Sequence, residues 1–209
     1  KPISLSFQIR LLPIKPIAPV TINNFFMPNR ISKKLLNLHK FYFKFTIVKN
    51  ILLMRHAHAK MGEGINDFDR ELSQTGIDEA NFIGDELNAK KVVVDKIISS
   101  SAKRAKKTAE LIVEKCSNSK TLDLKDYLYL AEIDVLFEEI QNLPEQCKTV
   151  LLVAHNPGIS ELAISLLSGL GNIYMPTATI ISIGIKKKSW KKLIPKKNKL
   201  IFSVSPEIS

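Results

Sequence analysis

The stretch TVLLVA, residues 149–154, constrains the fold more than any other part of the chain. A strand turns successive side chains to opposite faces of its sheet. After the leading threonine every side chain here is apolar, so neither face of the strand can meet water. Such a strand sits in a sheet covered on both sides. The run ILLM at residues 51–54, inside the longer TIVKNILLM, carries the same signature. Helical spacing appears between these strands. Ile77, Ala80, Ile83 and Leu87 recur at intervals of three and four, and Thr75 with Asp78 has the pattern of a capping box. AKRAKKTAELIVEK, EIDVLFEEIQNL and NPGISELAISLLSGL read as three further helices, the last with Pro157 near its start and Gly169 near its end. DKIISS, TATIISIGI and LIFSVS read as strands. Strands alternating with helices predict an α/β protein, an α/β/α sandwich on a parallel or mixed sheet.

In open sheets of this kind, ligands bind beyond the carboxyl ends of the strands. Three predicted strands end there on polar groups. The first runs into Arg55-His56, with His58 one residue further on. DKIISS ends on serines, with Arg104 one turn into the next helix. TVLLVA runs into His155-Asn156. Guanidinium groups present planar forks of donors suited to phosphate oxygens. Histidine serves as a nucleophile or, protonated, as a charged donor. Each residue alone has a plainer explanation: Arg55 as a surface charge, His56 as a satisfied loop histidine, Arg104 as part of the solvated face it shares with Lys103, Lys106 and Lys107, His155 as a helix cap. Two arginines and two histidines converging at one sheet edge make a phosphoryl pocket that needs no metal.

These segments resemble the histidine phosphatase (phosphoglycerate mutase-like) superfamily, and most closely its small SixA-like phosphohistidine phosphatase branch. LLMRHAHA is similar to the family's RHG or RHA signature, DRELSQTGIDEA to its Arg-Pro-Leu-Thr stretch, ISSSAKRAKKTAE to its Ser-Ser-Pro and Arg-Ala elements, LLVAHNPGI to its Val-Gly-His-Asn-Pro element, and MPTATIISI to its late strand. The resemblance spans residues 48 to 205. It implies a three-layer sandwich with a mostly parallel central sheet. It makes His56 the nucleophile, and Arg55, Arg104 and His155 the groups that hold the phosphoryl oxygens. Arg70 either adds to the pocket rim or forms a structural salt bridge with an acid such as Asp69. Ala57 stands where RHG has glycine, and Glu71 and Ser101 stand where the family often has proline. The general acid of the sugar-phosphate branches has a candidate in Glu132, although Tyr129 stands nearer the expected position. The implied enzyme is a metal-independent hydrolase with no cofactor, forming a phosphohistidine intermediate. Its expected substrate is a phosphohistidine-containing protein, releasing phosphate. A phosphatase or mutase for a small phosphorylated metabolite is the alternative.

Charge and cysteine content bound the remaining possibilities. The net charge of +11 is unevenly spread. Residues 1–47 hold eight Lys and Arg and no acid, the first acid being Glu63. Pro13, Pro16 and Pro19 bar a helix through RLLPIKPIAPV. Residues 1–47 therefore read as a basic, disordered extension — a fragment, upstream translation or targeting segment — and 48–209 as the phosphatase domain. Cys116 and Cys147 form no CxxC pair, and a cytoplasmic protein without structural zinc is expected, or an organellar one if 1–47 is a transit peptide. No apolar run is long enough to span a membrane. The lysines of KKKSWKKLIPKKNK, with Trp190 as a stacking group, leave a nucleic-acid module as a rival of another class, although lysines in a surface turn explain them more simply.

Overall fold

The computed structural model describes residues 48–61, 64–115, 122–167, 171 and 173–206. The expected N-terminal extension, residues 1–47, lies outside them. Six strands form one sheet: β1 (Lys49–Arg55), β2 (Lys96–Ser100), β3 (Leu122–Lys125), β4 (Thr149–Ala154), β5 (Ile180–Ile185) and β6 (Lys199–Val204). The spatial order is β3-β2-β4-β1-β5-β6. β3, β2, β4 and β1 pair in parallel, and β5 runs antiparallel to both β1 and β6. The helices are α1 (Gln74–Ala89), α2 (Lys103–Lys115), α3 (Ile133–Gln141) and α4 (Gly158–Leu166). This is the mixed α/β architecture with a mostly parallel sheet that the sequence predicts.

Side-chain alternation divides the core into two layers. Leu52, Met54, Leu151 and Val153 face Ala80, Ile83 and Leu87 of α1 and Ala105, Ala109 and Ile112 of α2. Ile51, Leu53, Val150 and Leu152 face Leu136 and Ile140 of α3 and Ile159 and Leu162 of α4. Both faces of the central strands are therefore dry, and burial at about 25 cal/mol per Å² of apolar surface makes this sheet the main stabilising element.

Two local readings change. The capping box expected at Thr75 and Asp78 is replaced by Ser73, whose hydroxyl accepts from the Gly76 amide at 3.1 Å. A capping side chain must precede the first helical residue, and α1 begins at Gln74. Trp190 is fully buried. Its indole N–H donates to the Cys147 carbonyl at 3.0 Å, and the buried Lys49 ammonium lies 4.8 Å from its ring centre. It cannot stack a base.

Candidate active site

Strand register builds the site. Arg55 of β1 pairs with Ala154 of β4, so the next residues, His56 and His155, emerge side by side at the carboxyl edge. Their ring centres are 4.9 Å apart. The His56 amide extends the ladder by donating to the Ala154 carbonyl at 3.1 Å. Arg104 arrives from the first turn of α2, almost fully buried.

The partners fix both histidine tautomers. His56 Nδ1 lies 2.8 Å from the Ala57 carbonyl, which only accepts, so Nδ1 carries the hydrogen. Arg104 Nε donates to His56 Nε2 at 3.2 Å, so Nε2 presents its lone pair. Arg104 Nη2 lies 3.4 Å from His155 Nδ1 and can only donate, which puts the His155 hydrogen on Nε2. Desolvation, with Arg104, Arg55 and Arg70 nearby, brings the His56 pKa from 6.5 to about 4, against the opposing bond to Ala57. Desolvation, then the charges of His56 and Arg104, brings His155 to about 3. Both rings are neutral at physiological pH.

Among the described residues, two buried side-chain polar atoms lack a hydrogen-bond partner: Arg55 Nε and His155 Nε2. Buried donors are nearly always paired. Here two unpaired donors lie in one cluster with the His56 Nε2 lone pair, which accepts from Arg104 Nε. The rest of Arg55 is held, its Nη1 donating to the Met175 carbonyl at 3.0 Å and the Tyr174 hydroxyl at 3.1 Å. Asn156 Nδ2 donates to the same Met175 carbonyl at 3.0 Å.

Asp67, absent from the sequence reading, ties this cluster together. Its Oδ2 accepts from Arg104 Nη2 at 2.8 Å and from the Tyr129 hydroxyl at 2.6 Å, and its backbone carbonyl accepts from Arg104 Nη1. Its Oδ1 accepts from Arg70 Nη1 at 2.9 Å. The Tyr129 hydrogen bond, with the two arginines, holds the Asp67 carboxyl well below the usual range. Asp67 opens a 3₁₀ turn in an irregular loop, where no periodicity marks it; its spacing of three from Arg70 was the one available signal. Arg70 thus pairs with Asp67, while Asp69 pairs with Lys103 at 3.2 Å. Arg70 reaches the four central residues through Asp67. Glu132 is exposed and its side chain has no hydrogen-bond or ion-pair partner among the described residues. His58 turns outward, its Nδ1 2.7 Å from Ser73 Oγ.

The histidine phosphatase superfamily (branch 1) model matches residues 51–136. An uncharacterized protein of Mycobacterium tuberculosis is 36% identical over 115 residues, 55% of this chain and 70% of the relative. The chain belongs to the histidine phosphatase superfamily. An uncharacterized chloroplastic protein of Arabidopsis thaliana is 26% identical over 156 residues, 70% of this chain and 71% of that one. The structure of this histidine phosphatase is similar to that of the protein histidine phosphatase SixA complexed with tungstate, with a TM-score of 0.65 and 21% identity over 75% of this chain and 96% of SixA. A SixA-type protein from Agrobacterium tumefaciens gives 0.66 at 24% identity, over 76% of this chain and 99% of that one. A mycobacterial glucosyl-3-phosphoglycerate phosphatase shares the fold at 0.51 and 17% identity, over 73% and 97%. Among the described residues, no three His, Cys, Asp or Glu side chains gather as a metal site, and no helix is long and apolar enough to cross a membrane.

Proposed function

We propose that this histidine phosphatase removes the phosphoryl group from phosphohistidine in a protein, by way of a phosphohistidine on His56. The observation that carries the reading is the grouping of His56 Nε2, whose lone pair accepts from Arg104 Nε, with two unpartnered buried donors, Arg55 Nε and His155 Nε2–H. A phosphoryl oxygen accepts from each donor, a phosphoryl oxygen also replaces His56 Nε2 as acceptor for Arg104 Nε, and phosphorus then faces the freed lone pair. His56 Nε2 forms a bond to phosphorus as the substrate's N–P bond breaks, and the freed imidazole leaves with the electron pair and takes a proton from solvent. Arg104 and Arg55 offset the charge developing on the equatorial oxygens. Water then attacks the phosphorus, restores His56 and releases phosphate.

Glu132 supports the choice of a nitrogen leaving group. An alkoxide requires a positioned acid. Glu132 has no contact that aims it, and the Tyr129 hydroxyl is committed to Asp67. The fold likeness to the glucosyl-3-phosphoglycerate phosphatase favours a second reading, hydrolysis of a small metabolite ester. The catalytic unit is assigned to residues 48–209, with 1–47 dispensable for hydrolysis. Assaying a phosphohistidine protein beside a panel of phosphate esters, with wild type and Glu132→Gln, separates the readings. The expected result is a kcat/KM at least about a hundredfold higher on phosphohistidine, unchanged by Glu132→Gln. Preference for an ester, lost in Glu132→Gln, would establish the second reading.

A further inference from the structure

The loops that carry or touch the site residues each expose an apolar side chain. Met61, Ile65, Leu130 and Tyr174 are 89%, 52%, 50% and 70% exposed. Each is one step from a site residue. The Arg70 guanidinium points an N–H at Met61 Sδ, 3.7 Å away. Ile65 precedes the Asn66 cap of the turn that carries Asp67. Leu130 follows Tyr129, and the Tyr174 hydroxyl accepts from Arg55. Single exposed apolar residues mean little, but several around one polar pocket mark an interaction surface.

Leu130 adds a second observation. Its φ is +49°, in the left-handed region where a branched side chain costs energy and where glycine or asparagine fits more easily. A leucine is thus held half-exposed, in an unfavourable backbone conformation, directly after Tyr129. Backbone strain of this kind clusters at active sites and ligand clamps, and here it falls on the residue next to Tyr129.

From these observations we infer that Met61, Ile65, Leu130 and Tyr174 form an apolar collar that docks the body of the substrate, a polypeptide with aliphatic side chains flanking its phosphohistidine. The inference rests on the proposed reaction and specifies its substrate. The occupant follows from continuity: Tyr174 bonds Arg55 at 3.1 Å and Leu130 follows Tyr129, whose ring centre is 5.4 Å from that of His155, so a donor that places a phosphoryl group against Arg55 and His155 extends beside these apolar side chains. A small hydrophilic ester has nothing to bury there, whereas an aliphatic side chain removes both itself and Leu130 from water.

The test uses the full chain and three probes phosphorylated with phosphoramidate: free phosphohistidine, a peptide with leucines flanking the phosphohistidine, and the same peptide with serines. Wild type is expected to favour the leucine peptide over the serine peptide by about tenfold or more in kcat/KM. Leu130→Asn and Ile65→Ser should each erase most of that preference and leave free phosphohistidine within about twofold of wild type. Leu130→Asn should also melt no lower than wild type, because asparagine accepts the left-handed backbone. Equal rates on both peptides by wild type, or equal losses on all three probes in the variants, would overturn the collar. Hydrolysis of esters with none of the three phosphohistidine probes would overturn the underlying reaction instead, and the collar's occupant with it.

Discussion

The imidazole of His56 has one hydrogen and one lone pair to place, and the Ala57 carbonyl and Arg104 Nε settle both. Burial then keeps His56 and His155 neutral, at about 4 and about 3. Both values lie below the ordinary 6.5 of the unfolded chain, so between about pH 6.5 and 4 the unfolded state binds more protons. The stability these rings contribute is complete above pH 6.5 and declines as pH falls through that window. Ring-proton NMR of the free protein should show neither histidine titrating between pH 8 and 5; an inflection near 6.5 for either would contradict the buried neutral pair. Asp67 acts at the same scale as a positioning residue, since it grips two nitrogens of Arg104 and the Tyr129 hydroxyl. Asp67→Asn should weaken tungstate binding and lower kcat/KM by about ten- to a hundredfold, because Arg104 Nη2 loses its charged partner and the guanidinium keeps only its bonds to the backbone carbonyl and the two histidines to aim it. Unchanged affinity for the oxyanion would remove Asp67 from the account. The clustering of the four central residues was legible because each ends or directly follows a buried strand or lies in the first turn of a helix. Asp67 was not, because it lies in a loop whose geometry no pattern encodes.

At the scale of elements, α1 anchors the loop after His56 from outside. Buried Glu79 accepts from the His58 amide at 2.7 Å and from Thr177 Oγ1 at 3.0 Å, tying the loop after His56 to the loop before β5. Thr108 of α2 accepts from the Ala57 amide at 3.0 Å and donates to the Arg104 carbonyl at 2.7 Å, so the His56 loop and Arg104 share one support. Gly76 permits the approach of α1, since a Cβ there would stand 2.0 Å from the His58 carbonyl oxygen. Gly76→Ala should therefore cost about 1–3 kcal/mol of stability and lower turnover as well, because the displaced segment is bonded to Glu79 and Ser73. Denaturant unfolding and a kcat measurement on the folded fraction check both; full activity at wild-type stability would show that the approach is slack. Most elements were readable because packing demands their periodicity. β3 was missed: LDLK is a half-exposed edge strand, held partly by ion pairs such as Lys96 with Asp123 at 3.0 Å, and edges carry little apolar signal.

The whole molecule is a device for bringing strand ends together. Parallel pairing of β1 with β4 and of β4 with β2 aims three carboxyl termini at one place, and the antiparallel β5 returns Tyr174 and Met175 to the same edge. The fold class was legible because dry strands such as TVLLVA admit few architectures. The buried Trp190 was not, since a lysine-rich sequence gives no hint of the pocket beside Cys147 and Lys49 that receives it. All of this converges on the claim that His56 takes the phosphoryl group. The most direct measurement is rapid quench with a labelled phosphohistidine donor, on wild type and His56→Ala. The account predicts acid-labile, base-stable label on His56 in wild type, and turnover at least about a thousandfold lower in a folded His56→Ala protein. Label on His155, or none at all with His56→Ala still active, would contradict it.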